Sequence, residues 1–502
     1  MIRKSTQKLV FLVALSSSLT AASPASAGAR PMWLGIDEPS IVSASDSLDP
    51  LKNTALALTT RVKSAGVRFE RVALSWREIA PRKPRNARDW QDPAYRWGYA
   101  DAALRSVADT RVNIGAGLEP IVTIESAPDW AQMSNRPRTV ELSRYPGAWK
   151  PNVAAVRDFA VALATRYSGG RKNIRGRLLP LVRRFQFWNE PNLSTHLSPQ
   201  YDSKRKPFAA LWYGRMLNAF RAGARQGGGS GVFVISAGLA PFGNVSGATS
   251  GTAPQAFARS LLCLNRTKRG LAPIRGCQPA TFDAWAAHPY DIAGSPSRKA
   301  DRQGQTGVVA DLPAIRRMLD RAVALRTVRP TTSKPLWVTE FDWWTNPPAR
   351  LLGANPQKAA EWTVQSLWQI WNSGVDVLIW YRLRDHVQWP GGLWYSGSNA
   401  IPSRLTPALL NRDSPKPSLA RFKWPMLFVN AKRPYAWGIV PCRRASVTVS
   451  VERLDQAVWK PAGTGTTSAG GVLAVGVRAG AKTAWRALAP DSCGGSSPTW
   501  QA

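Results

Sequence analysis

Histidine and cysteine are scarce in this 502-residue chain, with three and four copies, and its 31 Asp and Glu are outnumbered by 67 Lys and Arg. The cysteines form no CxxC pair and the histidines are far apart, which argues against a metal site built from these ligands. Beyond the N-terminus no stretch carries about 18 uncharged apolar residues, so membrane insertion of the mature chain is not expected. The first apolar strand runs into GIDEPS rather than a Gly-rich phosphate turn, which disfavours a doubly wound nucleotide-binding sheet. Internal repeats and extended low-complexity segments are also absent, which excludes solenoids.

What is present describes a globular protein: 44% hydrophobic and 20% charged residues, over a length suited to one large barrel plus a smaller module. Residues 1–27 read as an export signal. Arg3, Lys4 and Lys8 precede the apolar run LVFLVAL, and Ala25-Ser26-Ala27 fits a cleavage site. A secreted or wall-associated location follows, and the cysteines suit it. Three connectivities exist in principle; Cys263–Cys277 and Cys442–Cys493 are favoured because each pair lies within one unit. The formal charge of +36 would attract anionic glycans, wall polymers, nucleic acid or acidic lipid heads. The basic residues are scattered without dense runs, which reads as a solvated surface and not as a nucleic-acid groove.

From Trp33 onward apolar strands alternate with helical periodicity, the pattern of a parallel α/β sheet. The expected strands are 32–36, 67–76, 119–126, the RRFQFWNEPN segment (183–192), 232–238, 281–290, 334–343 and 375–385. Eight strands with intervening helices is the count of a (β/α)₈ TIM barrel, over residues 28–410. The Pro- and charge-containing stretch 411–417 is a candidate boundary. Beyond it, 446–454 and 471–480 alternate apolar and polar residues around a Gly/Thr/Ser stretch, which predicts a small β-sandwich-like module over 411–502.

Catalytic groups of such barrels sit where strands end in loops at the C-terminal rim. The fourth strand breaks at Pro191 just after Asn189 and Glu190, and the seventh ends in VTEF with Glu340. Glycosidic cleavage needs a proton for the leaving oxygen and an anion beside the developing oxocarbenium ion, and two carboxyls flanking the bond supply both. Each residue also has a plainer role: a capping or solvated Glu190, a salt-bridged Glu340, a core Tyr290 or Trp380.

WNEPN and VTEF in these positions resemble the clan A retaining glycoside hydrolases. RFERVALSWREIAP (68–81), APDWA (127–131) and AHPY (287–290) are most similar to families 39 and 5 within that clan. The resemblance covers roughly Trp33–Asp385 and implies a secreted O-glycosyl hydrolase without metal or other cofactor. Its substrate would be an oligo- or polysaccharide, neutral or anionic. It implies Glu190 as acid/base with a raised pKa, Glu340 as nucleophile and Asn189 as ligand of the sugar 2-hydroxyl. Arg71 would keep the nucleophile ionised, His288 and Tyr290 would orient carboxylates or contact hydroxyls, and Trp380 would be the floor under the sugar ring. Glu125 departs from the pattern, since many relatives carry a histidine or another polar sugar ligand there. The alternatives are a non-catalytic glycan-binding or wall-associated barrel, and a transglycosylase using the same residues.

Overall fold

In the computed structural model the described residues are 29–502, apart from 46–51, 115–116, 139–144, 174, 244–250, 292–293, 302, 399–403 and 478–482. The expected leader lies outside them. Eight parallel strands form one sheet: β1 Trp33–Asp37, β2 Phe69–Ser75, β3 Glu119–Glu125, β4 Arg184–Phe187, β5 Phe233–Ile235, β6 Trp285–Ala287, β7 Leu336–Val338 and β8 Val375–Tyr381. Their order is 5-4-3-2-1-8-7-6, and bridges Ile235–Ala284 and Leu239–Ala287 cross the remaining gap. The result is a nearly closed TIM barrel with helices outside.

Strand parity sorts side chains into two cores. Phe69, Ile121, Ile235, Trp337, Val377 and Ile379 point inward, and Trp337 packs between Phe69 and Phe233 at 5.9 and 5.6 Å. Space is tight there. A Cβ on Gly35 would sit 2.3 Å from Ile379 Cδ1, so only glycine fits that inward position of β1. The alternate residues face the apolar stripes of the surrounding helices. The sixth strand is shorter than expected. Asp283 turns its carboxylate to Arg221 and to the Val234 N–H, and Ala280–Thr281 pair with Val328–Arg329 outside the barrel.

Residues up to Lys423 still pack on the barrel, with helix Pro417–Lys423 lying on helix Pro356–Asn372. The remainder is antiparallel: β9 Met426–Val429, β10 Tyr435–Ile439, β11 Thr448–Asp455, β12 Val458–Thr466, β13 Val472–Gly476, β14 Ala484–Leu488 and β15 Trp500–Gln501. Sheets β9-β10-β13 and β12-β11-β14-β15 enclose a small core around Met426, Val449, Val451 and Trp485. The Gly/Thr/Ser stretch expected to separate two strands is in part β12 itself. Its proline, Pro461, is accommodated at a register shift opposite Glu452.

Cys263–Cys277 and Cys442–Cys493 are disulfides, which fits an oxidising compartment. Among the described residues no helix is long and apolar enough to cross a membrane.

Candidate active site

The turn after β4 is strained and pinned. Trp188 and Glu190 have φ of +72° and +40°, left-handed values that bulky residues adopt only when their surroundings hold them. The Trp188 N–H donates to Ile124 O at 2.7 Å, and its buried indole donates to His196 O at 2.8 Å. The Glu190 N–H donates to Gly238 O at 3.0 Å. These bonds aim the Glu190 carboxyl across the barrel mouth.

Arg71, inward-facing on β2 and almost wholly buried, is the hub beneath it. Its Nη1 donates to Glu340 Oε1 at 2.6 Å and to Asp37 Oδ2, and its Nη2 donates to Asn189 Oδ1 at 2.9 Å. Its Nε donates to Gln186 Oε1 at 2.8 Å and Thr123 Oγ1 at 2.9 Å. Burial disfavours the guanidinium charge, but Glu340 and Asp37 more than offset this and keep it protonated. With Asn189 Oδ1 committed to Arg71, the NH₂ of Asn189 remains for another acceptor.

Glu340, 9% exposed, is held from both sides, because the Tyr290 hydroxyl donates to Oε2 at 3.0 Å. Burial, with the neighbouring Glu340 charge, pushes that hydroxyl well above the usual phenol range, so it stays a donor. His288 is fully buried, with Nδ1 3.0 Å from Glu190 Oε1 and 3.6 Å from Glu340 Oε2, and Nε2 3.0 Å from Thr339 Oγ1. Gly238 backs the ring: a Cβ there would lie 2.0 Å from Nε2. Glu190, His288 and Glu340 each offer a ligand atom within 4.8 Å of the others, compact enough for a cation. Those atoms are already engaged with one another and with Arg71 and Tyr290.

The structure thus brings Glu190, Glu340, Asn189, Arg71, His288 and Tyr290 together. Trp380 is elsewhere. It is 1% exposed, packs edge-on against Phe341 and Phe422, and donates its indole N–H to Gly391 O at 3.0 Å. Parity is the reason: Val377 and Ile379 point inward, so Trp380 points outward and offers no face to a sugar. The aromatic wall of the mouth is Tyr381 with Trp389, whose ring lies 5.3 Å from Tyr290 and 5.5 Å from Tyr381 and whose N–H donates to Asp342 Oδ2. Trp76, Trp188 and Trp343, which lie near strand ends, are likewise core residues.

Two further acids join the site: Glu125, noted in the sequence as a departure from the family pattern, and Asp37, which the motifs did not single out. Glu125, on the inward face of β3 one step above Thr123, is raised by burial and by Glu340 and Glu190, against the pull of His196 and Arg71. Asp37, at the end of β1, shares Arg71 with Glu340, and burial pushes it up to about 7 although Arg71 opposes this. Glu190 departs from the expected raised pKa. Burial pushes it up, but the His288 hydrogen bond and the charges of His288, His196 and Arg71 bring it below the usual value. A groove of about 690 Å³ lined by Arg77, Arg96 and Asp129 lies along the loops after β2 and β3 and includes none of these groups.

Asp37 gives a stability prediction. The folded chain keeps a proton that the unfolded chain releases near the ordinary aspartate value of 3.8, so native stability from this group falls as pH rises from about 4 to about 7. Asp37→Asn does not titrate. Its melting temperature relative to wild type should therefore rise across that window, and a difference independent of pH would refute the assignment.

No protein-family model matches the chain, and no curated protein matches it. Among solved structures it is similar to a family 39 glycoside hydrolase from Bacteroides cellulosilyticus, at 15% identity over 89% of this chain and 81% of that one, TM-score 0.49. It is also similar to the catalytic domain of a family 30 xylanase C from Talaromyces cellulolyticus, at 11% identity over 90% and 98%, TM-score 0.42. A family 5 protein from Streptomyces cattleya, solved in complex with GlcNAc, aligns at 17% identity over 78% of each chain, TM-score 0.43.

Proposed function

We propose that this chain is an exported retaining glycoside hydrolase. The observation that carries the reading is the pairing of Glu190 and Glu340 across the mouth, with an oxygen of each within 4.8 Å of the other. Retaining enzymes hold their carboxyls about 5–5.5 Å apart, whereas inverting ones need about 6.5–9.5 Å to admit a water. The close pairing favours double displacement.

Glu340, its charge held by Arg71 and its second oxygen by Tyr290, attacks the anomeric carbon while Glu190 donates a proton to the leaving oxygen. A glycosyl ester forms on Glu340. Glu190, now a carboxylate, takes a proton from the water that cleaves the ester. The NH₂ of Asn189 is placed to donate to the 2-hydroxyl, and Tyr381 and Trp389 form the stacking wall. Asp37, Glu125 and Glu340 outnumber Arg71 here. A neutral sugar therefore suits the cleaved-bond site better than an anionic one, whatever polymer the cationic exterior attracts.

The test is mechanism-based labelling with a panel of activated 2-fluoro glycosides, followed by peptide mass spectrometry. An ester on Glu340 is expected, and the reactive reagent identifies the sugar. A label on Glu125 instead, or no label from a broad panel on folded protein, would overturn the reading.

A further inference from the structure

Single exposed apolar side chains are ordinary, because a folded chain has too little polar area to cover its surface. The loops after β7 and β8 go further. Leu351 is 94% exposed and Val387 87%, and Leu352 is exposed beside the first. Of the eleven large apolar side chains exposed among the described residues, six lie on the loops that follow β3, β5, β7 and β8. The bias is toward the end of the barrel that holds Glu190 and Glu340.

Both tips are held out by pinned necks. The Asn346 N–H donates to Ala354 O at 2.8 Å and the Ala354 N–H to Trp344 O at 2.9 Å, which closes 346–353 into a projecting loop. His386 and Trp389 exchange backbone hydrogen bonds at 3.1 and 2.8 Å, which leaves Val387 and Gln388 at the tip of a tight turn. The two necks are also joined to each other. The Thr345 N–H donates to Pro390 O at 3.2 Å, and the Trp344 and Trp389 rings meet at 5.1 Å. Buried Lys416 commits all three of its donors there, to Thr345 Oγ1 at 2.7 Å, Asp385 Oδ1 at 2.6 Å and Pro390 O at 3.0 Å. Necks braced in this way keep the tips from folding back onto the barrel.

We infer that these two tips are a peripheral anchor for the surface of an anionic lipid bilayer. Shape and charge select that occupant. A branched aliphatic tip offers a sugar neither a flat ring face nor a hydrogen bond. A folded protein would need pockets matched to both tips, whereas a fluid bilayer deforms around convex side chains. Loop 346–353 carries one charge, Arg350, and no acid, in a chain with 67 Lys and Arg against 31 Asp and Glu. Basic residues beside an apolar tip add attraction to anionic headgroups. Leu351, Leu352 and Val387 enter the boundary between headgroups and acyl chains, and Arg350 stays with the phosphates. The contact is peripheral, since no described helix is long and apolar enough to cross a membrane. Trp389, at the foot of the Val387 turn, belongs to the wall of the mouth, so a docked barrel holds its mouth beside the bilayer. That glycans borne on that surface come within reach rests on the proposed function; the docking does not.

The test is cosedimentation of the exported chain, without residues 1–27, with vesicles of phosphatidylcholine and phosphatidylglycerol in equal parts. At about 0.15 M salt, attraction between distant exposed charges is largely screened. Wild type should bind these vesicles, and vesicles of phosphatidylcholine alone more weakly. Leu351→Ser combined with Val387→Ser should weaken binding about 10–100-fold, the worth of one to two buried aliphatic side chains. Its melting temperature and its labelling at Glu340 should not change. Arg433→Gln combined with Arg444→Gln, which removes two exposed charges from the C-terminal module, should weaken binding far less. An environment-sensitive fluorophore on Val387→Cys should shift to the blue when vesicles are added, and the same fluorophore on Val458→Cys, exposed on β12, should not. No binding by wild type, binding that the serine pair leaves unchanged, or a blue shift at both positions would overturn the inference. So would self-association of wild type that the serine pair abolishes, because a second copy would then cover the tips. Vesicle binding without labelling at Glu340 would leave the anchor standing and sink the glycosidase reading; labelling without vesicle binding would do the reverse.

Discussion

Glu190→Ala is expected to lower turnover of glycosides with poor leaving groups by about 10²–10⁴-fold, the usual worth of a positioned general acid. The loss should nearly vanish in the first step for a dinitrophenyl glycoside, whose phenolate departs without a proton. The glycosyl ester then accumulates, because no base activates water. Azide, a small anion that needs no such base, should fill the space left by the side chain and release a glycosyl azide of the substrate's own anomeric configuration. Glu340→Ala should behave in the opposite sense. It loses turnover for good and poor leaving groups alike, and azide rescue there yields the inverted glycosyl azide, because azide displaces the leaving group directly. Product configuration read by proton NMR separates the two roles. The same configuration from both variants would mean that the acid and nucleophile assignments are wrong.

How much of this was legible in the sequence depended on whether local pattern fixes side-chain direction. The eight strands were readable because apolar runs alternate with helical periodicity, and Glu190 and Glu340 were readable because each closes such a run. Trp380 was misplaced because VDVLIWY in β8 is apolar almost throughout. A strand buried on both faces carries no polar alternation to set its parity, and a shift of one residue exchanges Trp380 for Tyr381. Trp389 lies eight residues beyond the strand, and only the fold brings it to Tyr290. Gln186 and Thr339 were invisible for another reason. Each is an inward-facing residue of ordinary type, and what matters about them is which atoms they present to Arg71 and His288. Asp37 was passed over within GIDEPS, since nothing in that segment shows that it shares an arginine with Glu340. The β12 strand was read as a separator because its glycines and Pro461 break alternation on a hairpin with little buried area.

That shared arginine yields the largest stability effect expected in the molecule. Arg71→Met leaves Asp37 and Glu340 buried without a counter-charge and leaves the acceptor oxygens of Gln186, Thr123 and Asn189 without their common donor. Removing one partner of a buried ion pair costs about 3–5 kcal/mol, and here two carboxylates lose theirs at once. The expected outcome is a cost at or above that range near neutral pH, together with loss of labelling at Glu340. The sign of its pH dependence is set by the carboxylates. As pH falls Asp37, whose carboxyl burial pushes up to about 7, becomes protonated and neutral, so the penalty should shrink toward acid, and Asp37→Asn added to Arg71→Met should recover part of it at neutral pH. Arg71→Lys separates charge from shape. Lysine keeps the positive charge that Asp37 and Glu340 need, but its three donors radiate from one nitrogen and cannot reach partners on five different strands and loops. It should therefore recover much of the stability and little of the activity. Denaturant unfolding of the three variants between about pH 4 and 8 checks this directly. A methionine variant as stable as wild type at neutral pH would mean that Arg71 is not what keeps two acids buried at the mouth of this barrel.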